Sequence, residues 1–307
     1  MRGPYKGVDA RIVEESSTAM YIHCNVLILN LYIVSCCSII TSIRNTFLAL
    51  QSIYHFIGRP RKRHSIFEKI QASLKGFAGG TMTLKSLSDT RWACRVEAVR
   101  SLLDNFEATI STIQEIENTD PDTGGQASPL LKSMEDFNFV FNLLLLKQVL
   151  LQCDLLSKTL QSVSLTFDLL KSVKNSTIEI IQSYRTDQYF DKLFDYCSKI
   201  TEKCGFRPAK LPRRGKIPAK LVGGSKAPFE AVKEHLKATV FSPLLDTLEQ
   251  EIENRLQDNN LDVLNHLSQL LGRHEVVEES IKFVSKYYSL DEELLFCEMK
   301  IFHNMKE

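Results

Sequence analysis

Six consecutive residues, Arg59-Pro60-Arg61-Lys62-Arg63-His64, gather four permanent cations and a histidine into one short stretch. Guanidinium and ammonium groups at that density meet phosphate oxygens through charge-assisted hydrogen bonds. The stretch therefore reads as a phosphate-binding patch or a nuclear localisation signal. A second run, Lys203 to Lys226, holds eight basic residues, no acidic one, and prolines at 208, 212 and 218. Lys210, Arg213, Arg214 and Lys216 lie in it, and each cation that meets a phosphate adds salt-dependent, sequence-independent affinity. The alternative for both clusters is a solvated loop without a partner. Phe206 is the one aromatic residue among the basic ones, so a base-stacking platform is not indicated.

Other chemistry is sparse. Eight cysteines, at 24, 36, 37, 94, 153, 197, 204 and 297, form no Cys-x-x-Cys pair. That pattern argues for reduced thiols in the cytosol or nucleus and gives no spacing for a zinc site, so neither metal nor cofactor is expected. Glycine-rich phosphate loops, a nucleophile elbow and a His-Glu-x-x-His motif are absent. Lysine plus arginine (38) nearly balance aspartate plus glutamate (37), so contact with nucleic acid must come from a local patch.

These residues need a frame, and the pattern of the chain is helical. An apolar stretch, 21–57, ends at Gly58-Arg59-Pro60. Its first part, Tyr21 to Ile40, has the length of a bilayer span, but His23, Asn25 and Asn30 would be costly in hydrocarbon; a buried helix is the favoured reading. A helix near 65–75 follows. Ser88 or Asp89 is a plausible cap for one carrying Trp92, Val96, Val99, Leu102, Leu103 and Phe106. Residues 118–129 read as turn throughout. The segment from Asp136 to Ser172 reads as a helix whose first half is apolar on nearly all faces, as at the centre of a bundle. One or two helices cover about 174–204. The basic stretch 203–226 reads as a linker unable to order itself. Helices are expected at 228–240, 242–258, 260–271, 276–285 and from 290. Strand signals are few.

Several motifs resemble those of hAT-superfamily transposases, in particular the domesticated zinc-finger MYM-type proteins. Thr90, Arg91, Trp92 and Arg95 match the family's Thr-Arg-Trp signature. Cys24, Leu29, Asn30 and Leu31 match a Cys-x-x-His…Leu-Asn-Leu motif, although Leu27 stands where the family has histidine and Ile28 where it has a basic residue. The pattern from Phe241 through Leu244, Leu245, Asp246, Leu248 and Glu251 to Arg255 resembles the helix before the family's dimerisation region. Together these anchors span nearly the whole chain.

The resemblance implies a mainly α architecture: part of an RNase H-like domain over 1–90, and a helical insertion domain over 91–307 containing the proline-rich basic linker at 203–226. It places the Thr-Arg-Trp motif near the family's active site, where the indole stacks on an unpaired base and the guanidinium meets phosphate. The alternative is that Trp92 packs between the two domains while Arg91 pairs with a carboxylate. It also places all three catalytic carboxylates outside these 307 residues, since the run Gly3–Arg11 would directly follow the second of them. Two-metal phosphoryl transfer needs such ligands, so this chain is expected not to be an enzyme. The functional expectation is a nuclear, DNA- or chromatin-associated protein with weak, non-specific DNA binding. One alternative is a protein-interaction scaffold that pairs with another transposase-derived chain through a face including Leu143 and Leu150, in the nucleus or the cytoplasm. Another is a truncated, non-functional reading frame of a decaying element.

Overall fold

The computed structural model describes residues 7–16, 18–19, 33–75, 83–87, 93–161, 167–211, 231–255, 260–272 and 277–305. Among them every regular element is helical: α1 (Val8–Glu15), α2 (Ile33–Ile39), α3 (Thr41–Ile57), α4 (Arg61–Lys75), α5 (Ala93–Asp104), α6 (Phe106–Thr119), α7 (Gly124–Met134), α8 (Phe137–Leu160), α9 (Phe167–Tyr184), α10 (Asp187–Cys204), α11 (Val232–Leu236), a π-helical turn (Lys237–Phe241), α12 (Ser242–Arg255), α13 (Asn260–Leu271), α14 (Glu278–Tyr288) and α15 (Glu292–Asn304). The described residues contain no strand, only one isolated parallel bridge between Asp136 and Arg207. The mainly α class expected from the sequence is thus the class observed. The chain groups into two compact units, residues 29–156 with 177–251, and residues 1–28 with 157–176 and 252–307.

The larger unit is built on α8. Phe137, Val140, Phe141, Leu143, Leu145, Leu146, Val149, Leu150 and Cys153 are all buried, so the mostly apolar first half of the helix is largely enclosed, while Gln148, Leu155 and Lys158 further along reach the surface. Aromatic rings join it to its neighbours: Phe137 lies 5.0 Å from Phe194 and Phe141 6.0 Å from Phe190, which in turn lies 5.1 Å from Phe241. Helix α3 presents Ile43, Phe47, Leu50 and Ile53 as a buried stripe with helical spacing. By length and composition α8 would also cross a membrane, but 61% of its apolar window is buried inside the protein. Burial at Leu143 and Leu150 also removes both residues from any interaction face. A polar substitution there would test the core, and the expected scaffold face is corrected accordingly.

Several boundaries differ from the sequence reading, each for a local reason. The apolar stretch 21–57 is not one helix: α2 and α3 meet at Ile40 with a 108° bend, while residues 20–32 lie outside the described residues. The helix expected to run through Phe106 breaks at Asn105, whose buried amide turns to bond other elements. The supposed turn 118–129 becomes helical at Gly124. A Cβ there would lie 2.8 Å from the Glu117 carbonyl oxygen, so glycine allows the close approach of α7 to α6. Helix α10 starts where the Thr186 hydroxyl accepts from the Tyr189 N–H, and ends on Gly205 at φ +68°, a left-handed cap. Helices α11 and α12 are joined by the π-helical turn. Pro243 has no N–H for the carbonyl four residues earlier, and the widened turn just before it absorbs the break. The linker is not wholly independent either. Phe206 packs 6.1 Å from Phe106, and the Arg207 backbone bonds the Glu135 carbonyl and the Phe137 N–H. Its first residues are therefore ordered by the start of α8.

In the smaller unit, α13, α14 and α15 enclose Leu270, Ile281, Val284 and Met299, with Leu267, Phe283, Leu295, Phe296 and Phe302 packed around them. His266 stacks on Phe283 at 4.2 Å and shares the Ser280 hydroxyl with Gln269. The Asp291 carboxylate caps α15 by accepting from the Leu294 N–H at 2.8 Å.

Candidate nucleic-acid interface

The basic cluster sits where α3 hands over to α4. The Gly58 N–H closes α3 on the Tyr54 carbonyl at 2.7 Å, and Arg59-Pro60 lead straight into α4. Proline suits this junction, since its fixed φ starts a helix and its missing N–H is not needed there. The first turn of α4 holds Arg61, Lys62, Arg63 and His64 and no acidic residue. The free N–H groups of a helix N-terminus carry a partial positive charge. The turn is therefore electrostatically unfavourable by itself and favourable once an anion lies against it.

The side chains divide into two groups. Lys62 lies 3.6 Å from Asp120. Burial alone would push the Asp120 acid up, but Thr123, Lys62 and the Asp122 and Thr123 backbone N–H groups outweigh it and hold it below its ordinary value. Arg63 lies over the Phe56 ring at 4.3 Å with one guanidinium nitrogen enclosed. His64 stacks beside Phe67 and reaches Glu68 at 3.4 Å. Arg59 and Arg61 are exposed and have no acidic partner among the described residues. Lys62 is itself 80% exposed, so three cations of the cluster face solvent, of which Arg59 and Arg61 have no acidic partner among the described residues.

The position of α4 is fixed by a buried polar clamp that the sequence did not announce. Gln71 of α4 donates to Asn105 Oδ1 at 2.6 Å, and Asn105 Nδ2 donates to the Ser101 carbonyl at 2.8 Å. The Ser101 hydroxyl also accepts from the Lys85 N–H, and Gln51 of α3 accepts from the Leu87 N–H. The stretch 83–87 that leads towards the Thr-Arg-Trp motif is thus held by α5 on one side and α3 on the other. Thr90, Arg91 and Trp92 themselves lie outside the described residues, as do Cys24 and Asn30. Arg95 is described. Its guanidinium lies over the Phe47 ring at 4.7 Å, and its charge acts on the buried Cys37 thiol, so it serves the interior.

Of the second basic cluster, Lys210 is exposed while Arg213, Arg214 and Lys216 lie outside the described residues. Arg207 pairs with Asp136 at 3.6 Å on the rim of a polar cleft of about 330 Å³ that also involves Ser42, Asn45, Asn138 and Asn142. The cleft's groups are mostly committed to one another. Asn142 donates to the Ser42 and Thr46 hydroxyls at 2.8 and 2.9 Å, and Asp136 accepts from the Asn138 N–H. Asn138 and Asn142, one turn apart in an otherwise apolar run, were the readable signal for it.

The four buried thiols are not poised to react. Burial pushes Cys36, Cys37 and Cys197 up to about 12 and raises Cys153 as well, so all four stay protonated at neutral pH. Among the described residues no group of three or more His, Cys, Asp or Glu side chains is placed to hold a metal ion.

No protein-family model matches the chain, and no solved structure matches it. The chain is similar to a mouse protein described as the 52 kDa repressor of the inhibitor of the protein kinase, with 22% identity over 274 residues. That alignment covers 86% of this chain and 35% of the mouse protein, so the chain spans about a third of its relative's length.

Proposed function

We propose that this chain is part of a transposase-derived regulator that associates with DNA or chromatin in the nucleus through phosphate contacts and does not itself cut DNA. The observation that carries the reading is the pair of exposed guanidinium groups, Arg59 and Arg61, at the positive end of α4, with no acidic partner among the described residues. The name of the mouse relative describes a repressor, which agrees with action by binding. The Thr-Arg-Trp and Leu-Asn-Leu resemblances supply the transposase origin, and the carboxylates that cleavage would need are not among the matched residues.

Binding of this kind ignores sequence and weakens steeply with salt. Two phosphate contacts predict a fall of about twelvefold in affinity between 50 and 200 mM salt, and four contacts a fall of about 150-fold. Fluorescence anisotropy with two unrelated duplexes of equal length measures both properties. Equal affinities that fall together support the reading, whereas a tenfold preference for one duplex, or no binding at 50 mM salt, contradicts it. Incubating the chain with supercoiled plasmid and magnesium or manganese tests the catalytic part. Intact plasmid is expected, and nicking overturns it.

A further inference from the structure

The polar cleft between α3 and α8 has one buried group left unmet. Ser42, Asn45 and Thr46 line it from α3, and Asn138 and Asn142 from α8. Asn142 is 1% exposed, and its Nδ2 donates to the Ser42 and Thr46 hydroxyls. The Thr46 hydroxyl gives its own proton to the Ser42 carbonyl at 3.0 Å, so towards Asn142 it can only accept. That fixes which way the amide is turned: Nδ2 faces α3, and Oδ1 is enclosed without a donor. An acceptor in that state is destabilising until an N–H or O–H reaches it. The side-chain amides of Asn45 and Asn138 have no partner among the described residues, so they are free to turn aside and admit one.

The rim of the cleft carries both charges. Arg207 stands 3.6 Å from Asp136, too far for a good hydrogen bond, and its side chain is half-exposed. Backbone bonds to Glu135 and Phe137 hold Arg207 in place, and the Asn138 N–H holds the Asp136 carboxylate. A loose pair at the surface contributes little, so a ligand that meets both charges opens it easily.

We propose that this cleft binds a free α-amino acid with a side-chain carboxamide, L-glutamine being the best fit. The ligand carboxylate takes the Arg207 guanidinium in place of Asp136, and the ligand ammonium takes the freed Asp136 oxygen. Its carboxamide N–H donates to Asn142 Oδ1, while the carboxamide oxygen accepts from Asn45 or Asn138. The length agrees. Asn142 lies six residues beyond Asp136, about 9 Å along the helix axis. The two nitrogens of extended glutamine are ~6 Å apart, and a hydrogen bond of about 3 Å completes the span. The charges agree as well, because the Asp136–Arg207 pair sums to zero, as a zwitterion does. At about 330 Å³ the cleft is at the small end of ligand sites, suited to a molecule of this size. It shares no residue with the basic cluster of α4, so its test is separate from that of DNA binding.

Saturation-transfer NMR of the full chain titrated with L-glutamine tests this, with a dissociation constant of about 1 mM or below expected. L-Glutamate has no side-chain proton for Asn142 Oδ1, and N-acetyl-L-glutamine amide lacks both charges; each should bind about tenfold more weakly or worse. Arg207→Gln should weaken glutamine binding about tenfold, and Arg207→Lys should restore part of it. Substituting Asn142 would also cut its bonds to α3, so Arg207→Gln, on an exposed side chain, decides once far-UV circular dichroism is unchanged. No saturable glutamine signal in the folded chain overturns the proposal and leaves the cleft to solvent. Glutamate binding as tightly as glutamine overturns it too, as does glutamine binding indifferent to folded Arg207→Gln. Equal binding of the uncharged analogue would make the occupant a glutamine side chain of a polypeptide and overturn the free amino acid.

Discussion

Substituting Asn105 with alanine should loosen the helix that carries the basic cluster, although Asn105 contacts none of those cations. Its amide is buried, with 1% exposure, and makes two good hydrogen bonds: it accepts from Gln71 Nε2 at 2.6 Å and donates to the Ser101 carbonyl at 2.8 Å. Each such bond contributes about 1 kcal/mol net, and more where the abandoned partner stays buried. Gln71 is 2% exposed and Ser101 1%, so water does not easily replace the lost partner. The small cavity left by the missing amide adds a further fraction. The total is about 2–3 kcal/mol. With an m value of about 2 kcal/mol per molar urea, the unfolding midpoint followed by circular dichroism should fall by about 1–1.5 M. Gln71→Ala should produce a smaller loss, and the double variant should lose about 1 kcal/mol less than the sum, because both changes remove one shared bond. A midpoint shift below about 0.3 M, or strict additivity, would refute the clamp.

Other outcomes follow from single contacts. Gly124→Ala should destabilise the protein by about 1–3 kcal/mol, read as a lower melting temperature, because the new methyl meets the fixed Glu117 carbonyl. In a thiol-reagent time course Cys204 and Cys297 should react at once, whereas Cys36, Cys37, Cys153 and Cys197 should react only at the rate of unfolding. The raised thiols also set a pH limit: stability should fall as pH rises from about 8.5, where unfolded cysteine ionises, because the folded thiols hold their protons towards 12. A flat urea midpoint from pH 8 to 10.5 would contradict that. Finally, the ladder in which Lys233 reaches Asp191 at 2.8 Å and Lys237 reaches Asp187 at 2.6 Å is exposed, so Lys237→Ala should cost less than about 1 kcal/mol in the same denaturation assay.

What could be read from the sequence was whatever depended on neighbours along the chain. The central helix α8 announced itself by a first half apolar on nearly all faces, and Gly58-Arg59-Pro60 marked the end of α3 and the approach to the cationic turn. Features that depend on distant partners were not legible. Nothing local says that Asn105 will leave its helix to meet Gln71, 34 positions away. Nor does anything around Phe206 and Arg207 say that Phe106 and Asp136 will hold them, so a composition typical of a linker was read as unordered throughout. Proline was a poor guide to where helices stop. Pro129 suggested a turn where α7 runs through it, whereas Pro243 is accommodated by a π-helical turn that no periodicity reveals. The cluster Arg59–Arg63 was visible as charge alone. The structure was needed to separate Lys62 and Arg63, which meet Asp120 and Phe56, from Arg59 and Arg61, which have no acidic partner among the described residues.

The central claim is that those two cations hold nucleic-acid phosphate. The direct measurement is the salt dependence of duplex binding for the wild-type chain beside Arg59→Ala/Arg61→Ala. If each guanidinium neutralises one phosphate, the slope of log affinity against log salt should be shallower in the variant by about 1.8, with circular dichroism unchanged. Equal slopes for the two proteins would show that Arg59 and Arg61 do not touch the DNA.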